Sequence, residues 1–351
     1  MKKLTDYLLI GLILLGVLFG CVPATPLTSA QAETPVENPT LQSIHLKVGV
    51  FNYISFAPLF IARDEGYFAE QGLDVELVDF GSSSNEIIPL LVARELDVAG
   101  HTLNTSVFNA ILQGNDLKFV ADRGFINPDS CTTDAWVASK TALDSGTLSE
   151  PATIKGKNVV FVPGGTIEFT LDVLLEQNGL TQNDINPQNV SASSARVEGL
   201  NNGSVDVSIL SEPWITRAQT TGAGEVWIPL SEITPNLSLG TIIFGPSLLE
   251  NNPEVGIRFM TAYLKAVKQF NQGKTDRNIE IIANYTKLSP EDIRAACWTS
   301  FKDDGTIDTE TMLAFQKWSL EKKYVDGHLE LDQFWTSQFV DEAEKRLANG
   351  K

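Results

Sequence analysis

Cysteine, histidine and positive charge are all scarce in this 351-residue chain, which has three Cys, three His and 26 Lys plus Arg. The cysteines, Cys21, Cys131 and Cys297, form no C-x-x-C pair and have no histidine near them in sequence, so a structural zinc site and a thioredoxin-type redox motif are excluded. Against 44 acidic side chains the basic ones leave a net charge of −18, with no Lys/Arg run that would release counterions from a phosphate backbone, so nucleic acid is not an expected partner. The longest apolar run, Tyr7 to Gly20, is shorter than the roughly 20 residues a bilayer span needs. The motifs G-x-S-x-G, H-E-x-x-H, G-x-x-x-x-G-K-[ST] and G-x-G-x-x-G are missing as well. No catalytic residue, metal or cofactor is therefore expected.

The amino terminus carries a different signal. Lys2 and Lys3 precede the apolar run, which stops at Leu18-Phe19-Gly20-Cys21. This resembles the lipobox of bacterial lipoproteins, in which the cysteine becomes the lipidated first residue of the mature protein. Residues 1–20 are thus expected to be a signal peptide and Cys21 the lipidation site. Residues 21–41 are expected to be a flexible tether, because Val22 to Thr40 is rich in Pro, Ser and Thr without apolar periodicity. The protein would then sit on a cell membrane through its lipid, facing the periplasm or the exterior. Export permits a disulfide between Cys131 and Cys297, but their wide separation favours two separate buried thiols, with pairing left open.

The remainder alternates strands and helices. Leu46 to Phe51 and Val75 to Phe80 read as strands flanking one helix over Ala57 to Glu70. A helix over Glu86 to Arg94, a strand at Asp97 to Gly100, a helix at Thr105 to Gln113 and a strand at Leu117 to Ala121 complete half of a doubly wound domain. Strands at Ala135 to Ala138, Asn158 to Val162 and Val207 to Leu210, with a helix from Glu168 to Asn178, repeat the arrangement; helices dominate from Val255 onward. The chain is expected to cross to a second lobe near 136 and return near 235, giving an α/β protein with lobe I at 42–135 plus 235–351 and lobe II at 136–234. Each lobe would be a doubly wound sheet, and two hinge crossovers would frame a cleft.

The stretch Ala57 to Glu76 (APLFIARDEGYFAEQGLDVE) closely resembles the opening of the nitrate/sulfonate/taurine and thiamine-pyrimidine group of ABC-transporter periplasmic solute-binding proteins. Glu95 to Ala99, Ile154 to Val159, and Gly203 to Val207 followed by Glu212-Pro213-Trp214 agree with it in order and spacing. The resemblance covers roughly residues 45–270. It implies a two-lobed type II binding-protein fold with a C-terminal helical extension that closes on a small molecule and hands it to an ABC permease with its ATPase subunit. The group also includes a fungal pyrimidine synthase with a cysteine-rich motif, which this chain lacks.

In α/β lobes ligands sit outside the carboxyl ends of the strands. The candidate ligand-binding residues are therefore Asn52 and Tyr53 after the first strand, Ser82, Ser83 and Asn85 after the second, and His101 and Thr102 after the third. Gly165 and Thr166, at a helix start, and Glu212 and Trp214 come from the other lobe. Apart from Arg123 this rim offers no positive charge. Aromatic faces with amide, hydroxyl and carboxylate groups suit a flat neutral heterocycle, and within the resembled group that means riboflavin or a thiamine-pyrimidine precursor. An organic sulfonate such as taurine, or nitrate, is the alternative, because backbone donors bind anions without Arg.

Overall fold

A computed structural model describes residues 43–81, 86–190 and 192–350. The strands among them are β1 Ile44–Val50, β2 Leu73–Asp79, β3 Val98–Thr102, β4 Lys118–Asp122, β5 Asp134–Ser139, β6 Asn158–Val160, β7 Asn186–Gln188, β8 Val207–Ser211, β9 Gly224–Pro229 and β10 Gly240–Phe244. They form two five-stranded sheets, ordered β2-β1-β3-β10-β4 and β7-β6-β8-β5-β9. In the first, β1 is parallel to β2 and β3 while β10 runs antiparallel to β3 and β4. The second repeats this pattern, with β5 as the reversed strand beside β8 and β9. Each sheet thus receives one strand that enters just after the chain has changed lobes. The fold is the two-lobed type II arrangement expected, although the sheets are mixed rather than wholly parallel.

Local sequence explains the main helices. Pro58 occupies a first turn of Ala57–Asp64, where its missing N–H costs nothing. Gly66 then adopts φ 76, a left-handed conformation glycine enters freely, and splits the single helix expected over 57–70 into Ala57–Asp64 and Tyr67–Glu70. The 18-residue helix Pro253–Phe270 buries Val255, Phe259, Met260, Tyr263, Leu264 and Val267 along one side against the first sheet's layer. Helices Ser193–Asn202 and Trp214–Thr220, not anticipated from the sequence, cover the far face of the second sheet, where Leu200, Leu210 and Ile215 form a smaller separate core.

The two crossovers lie between β4 and β5 and between β9 and β10, and they run side by side. Ile126 N–H donates to Leu237 O at 3.0 Å, Asn236 N–H to Ile126 O at 2.8 Å, and Leu239 N–H to Gly124 O at 2.9 Å. Asp122, 1% exposed, accepts from Gly124 N at 3.0 Å and Ser238 Oγ at 3.2 Å, one donor from each crossover. Burial pushes its carboxyl up to about 7. The folded protein therefore keeps a proton that the unfolded chain releases near the usual value of about 4, so stability falls as pH rises from about 4 to about 7, by at most about 1.4 kcal/mol per unit from this group. Thermal midpoints measured between about pH 5 and pH 8 should decline, and Asp122→Asn should remove that part of the slope; an unchanged slope in the variant would contradict this.

Sequence separation concealed one covalent link. Cys131 and Cys297, 166 residues apart, form a disulfide, correcting the expectation of two separate buried thiols. Cys131 is exposed on the first crossover, and folding places it against the segment just after helix Pro290–Ala295, where Cys297 is 8% exposed.

Candidate functional site

The carboxyl end of β1 leads through Asn52 and Tyr53 into a 3-10 turn, Ile54–Phe56. Asn52 Nδ2 donates to Asp79 Oδ2 at 2.5 Å and ties this end to that of β2. Tyr53 is 54% exposed, an unusual position for a large ring, and it stacks on Phe51 with centroids 6.1 Å apart and planes 15° from parallel. The ring therefore packs on Phe51 by one face and on Phe56 at its edge, with about half of the residue open.

Arg196 supplies a second guanidinium that sequence reading missed. It is 8% exposed, and burial lowers its pKa; its Nε donates to Val190 O at 2.7 Å and Nη1 to Ile209 O at 3.2 Å. Nothing in its sequence context, an Arg in a polar helix with little amphipathic pattern, distinguishes it from a surface side chain. Arg123, expected at the rim, is instead packed into the joint at 4% exposure. Its guanidinium lies 3.8 Å over the Phe56 ring, Nη1 donates to Ser55 O at 3.1 Å and Ser55 Oγ at 3.0 Å, and burial lowers its pKa to about 10. A Cβ at Gly240 would lie 2.2 Å from Arg123 Nη2, so only glycine leaves room for this placement. Arg123 thus supports the 53–56 turn from beneath.

The remaining expected residues divide between display and local structural work. His101 on β3 is fully buried, with Nδ1 2.7 Å from Thr102 O, while Thr102 at the strand end is exposed. Gly165 caps helix Thr166–Gln177, and Thr166 is 3% exposed. The preceding Gly164 gives its N–H to Glu168 Oε2 at 2.7 Å, so that donor is used inside lobe II rather than offered to an anion. Gly164 O accepts from Thr105 N at 3.2 Å and Thr105 Oγ1 at 3.2 Å, and Asn104 bridges to Gly165, so the lobes meet backbone to backbone at this point. The Glu212 carboxylate accepts from Thr216 N at 3.1 Å and Thr216 Oγ1 at 2.9 Å, which holds it at the start of helix Trp214–Thr220. Trp214 is half-buried on the second core, with the Arg217 guanidinium 5.6 Å from its ring. Ser82, Ser83 and Asn85, like Cys21, lie outside the described residues.

The segments after β3 in one lobe and after β6 in the other thus meet, Asn104 and Thr105 against Gly164 and Gly165. Among the described residues no group of three or more His, Cys, Asp or Glu is placed to hold a metal. A surface hollow of about 530 Å³ lined by Gln71, Glu342, Lys345, Arg346 and Asn349 lies beside the C-terminal helix, away from these strand ends.

Two similar lobes, paired crossovers and convergent strand ends define the class of two-lobed periplasmic-binding-protein folds. The chain belongs to the NMT1/THI5-like family, whose model matches residues 53–272. It is 26% identical over 270 residues to the riboflavin-binding protein RibY of Chloroflexus aurantiacus, covering 74% of this chain and 72% of that protein. In structure it is similar to the periplasmic aliphatic sulphonate binding protein SsuA from Escherichia coli, with a TM-score of 0.68 and 16% identity over 84% of this chain and 99% of that one. The periplasmic nitrate-binding protein NrtA from Synechocystis PCC 6803 is similarly placed, with a TM-score of 0.69 and 16% identity over 87% of this chain and 89% of that one.

Proposed function

We propose that the protein is the extracytoplasmic substrate-binding subunit of an ABC importer, which captures a flat heterocycle, riboflavin or a thiamine-pyrimidine precursor, between its lobes and delivers it to the permease without turning it over. The observation that carries this reading is Tyr53, a large ring fixed by Phe51 yet 54% exposed at the end of the first strand, where a planar ligand gains a stacking face. The relationship to RibY supports it. Cys21, at the end of the apolar run, would hold the protein to the membrane by its lipid, with residues 21–41 as tether and the lobes divided near 136 and 235.

Riboflavin fluorescence should be quenched stoichiometrically on mixing with the protein, because stacking on an aromatic side chain offers the excited flavin a quenching route; the flavin should be recovered chemically unchanged. Unquenched fluorescence at micromolar protein would refute a riboflavin site. Arg196 favours a second reading, an organic sulfonate or nitrate, since a buried guanidinium in the second lobe attracts an anion.

A further inference from the structure

The chain after β10 returns to both lobes. Helix Thr309–Glu321 and the segment following it are anchored on lobe I: Phe315 packs on Phe108 at 6.1 Å, Asn109 Nδ2 donates to Tyr324 O at 2.9 Å, and a Cβ at Gly327 would meet Leu112. On its other side this helix meets helix Thr166–Gln177 of lobe II, where Phe169 contacts Phe315 at 5.8 Å and Trp318 at 5.7 Å. A polar network closes the contact. Tyr324 OH and Gln182 Nε2 each donate to Glu168 Oε1 at 2.9 Å, while Trp318 Nε1 donates to Asp172 Oδ2 at 2.7 Å. Lys322 Nζ lies 2.8 Å from Asp172 Oδ2 and 3.5 Å from Glu168 Oε1.

Glu168 is 1% exposed, and such a carboxylate persists only where donors surround it. Its other oxygen, Oε2, accepts the Gly164 N–H, and Gly164 precedes Gly165 and Thr166 at the helix start, where the lobes meet. Burial and Glu168 push the Tyr324 phenol up to about 12, so it stays a donor throughout the physiological range. We propose that Glu168 is a positioning residue of the ligand cleft: held by the C-terminal strap through Tyr324 and Lys322, it fixes the Gly164–Gly165 turn through the Gly164 N–H. The role rests on the cleft being the ligand site. The turn's other restraints come from the facing lobe and from the helix start, where Gly164 O accepts from Thr105 N and Oγ1, Gly165 pairs with Asn104 and Gly165 O accepts from Phe169 N, whereas the Gly164 N–H is held by Glu168 within lobe II. A turn left to fluctuate must be ordered again in the complex, which weakens binding, chiefly through faster dissociation.

The test uses the full-length protein, with Glu168→Ala and the double variant Lys322→Met/Tyr324→Phe, whose side chains lie at the outer end of the network. Hydrogen exchange of the peptide spanning Gly164, without ligand, should accelerate about tenfold in Glu168→Ala and several-fold in the double variant; riboflavin dissociation should accelerate in the same order. If Glu168→Ala does not fold, the double variant decides alone. Exchange at Gly164 and riboflavin dissociation both at wild-type values in the double variant would overturn the proposal. A lowered melting temperature with those two quantities unmoved would also overturn it, since that is what a purely structural network gives. Failure of the wild-type protein to bind riboflavin would refute the ligand reading instead, and the exchange measurement would still decide whether Glu168 holds the turn.

Discussion

Replacing Cys131 and Cys297 by alanine lowers the melting temperature by about 3 to 8 °C, corresponding to about 2 to 5 kcal/mol for a chain of this size. The bond spans 166 residues, so reduction returns a large amount of conformational freedom to the unfolded chain. It also acts in the native protein. Cys131 sits on the first crossover and Cys297 beside helix Pro290–Ala295, and Cys297 N–H lies 3.5 Å from Glu212 Oε1 of the other lobe. The link thus secures the joint where both lobes and the C-terminal helices meet. Calorimetry with and without reductant reads the effect, and a wild-type midpoint unmoved by reductant that cleaves the bond would refute it.

The second large effect falls on the ligand. Tyr53→Ala should weaken binding of a flat heterocycle about 5- to 150-fold, the range that follows from losing one aromatic stacking face worth about 1 to 3 kcal/mol. Tyr53→Phe should stay within a few-fold of wild type, because the face and not the hydroxyl is the contact. The ring is exposed and packs only along Phe51 and the edge of Phe56, so folding should tolerate both variants. Trp214→Ala and Asn52→Ala should weaken binding less. Asn52 acts through the β1 and β2 ends it joins, and Trp214 is half covered by its own core. Equal affinity for wild type and Tyr53→Ala would remove Tyr53 from the site.

Much of this architecture was legible because it is written in local patterns. The apolar alternation of β1 and β2 and the helical pattern of the C-terminal part, as in Pro253–Phe270, depend on near neighbours only. What escaped depends on distant partners. β10, Gly240–Phe244, is buried throughout because it lies between β3 and β4, yet alone it is a short apolar run after a proline-containing loop. β7 contains a proline and is wholly exposed, pairing only at a sheet edge. Position after a strand points to candidate residues, but not to which of their groups are already engaged. Glu212 is held by Thr216 four residues on, and the Gly164 N–H by Glu168, local pairings that become evident only when the helix starts are built. Arg196 shows the converse, since a guanidinium in a polar helix becomes buried against Val190 O and Ile209 O through tertiary packing alone.

Isothermal titration of the protein with riboflavin, a thiamine pyrimidine, taurine and nitrate, under one set of conditions, tests the central claim most directly. A flat heterocycle should bind at one site per chain, and taurine and nitrate should give no heat. Binding of taurine or nitrate alone would contradict the stacking role of Tyr53 and leave Arg196 as the feature that defines the ligand.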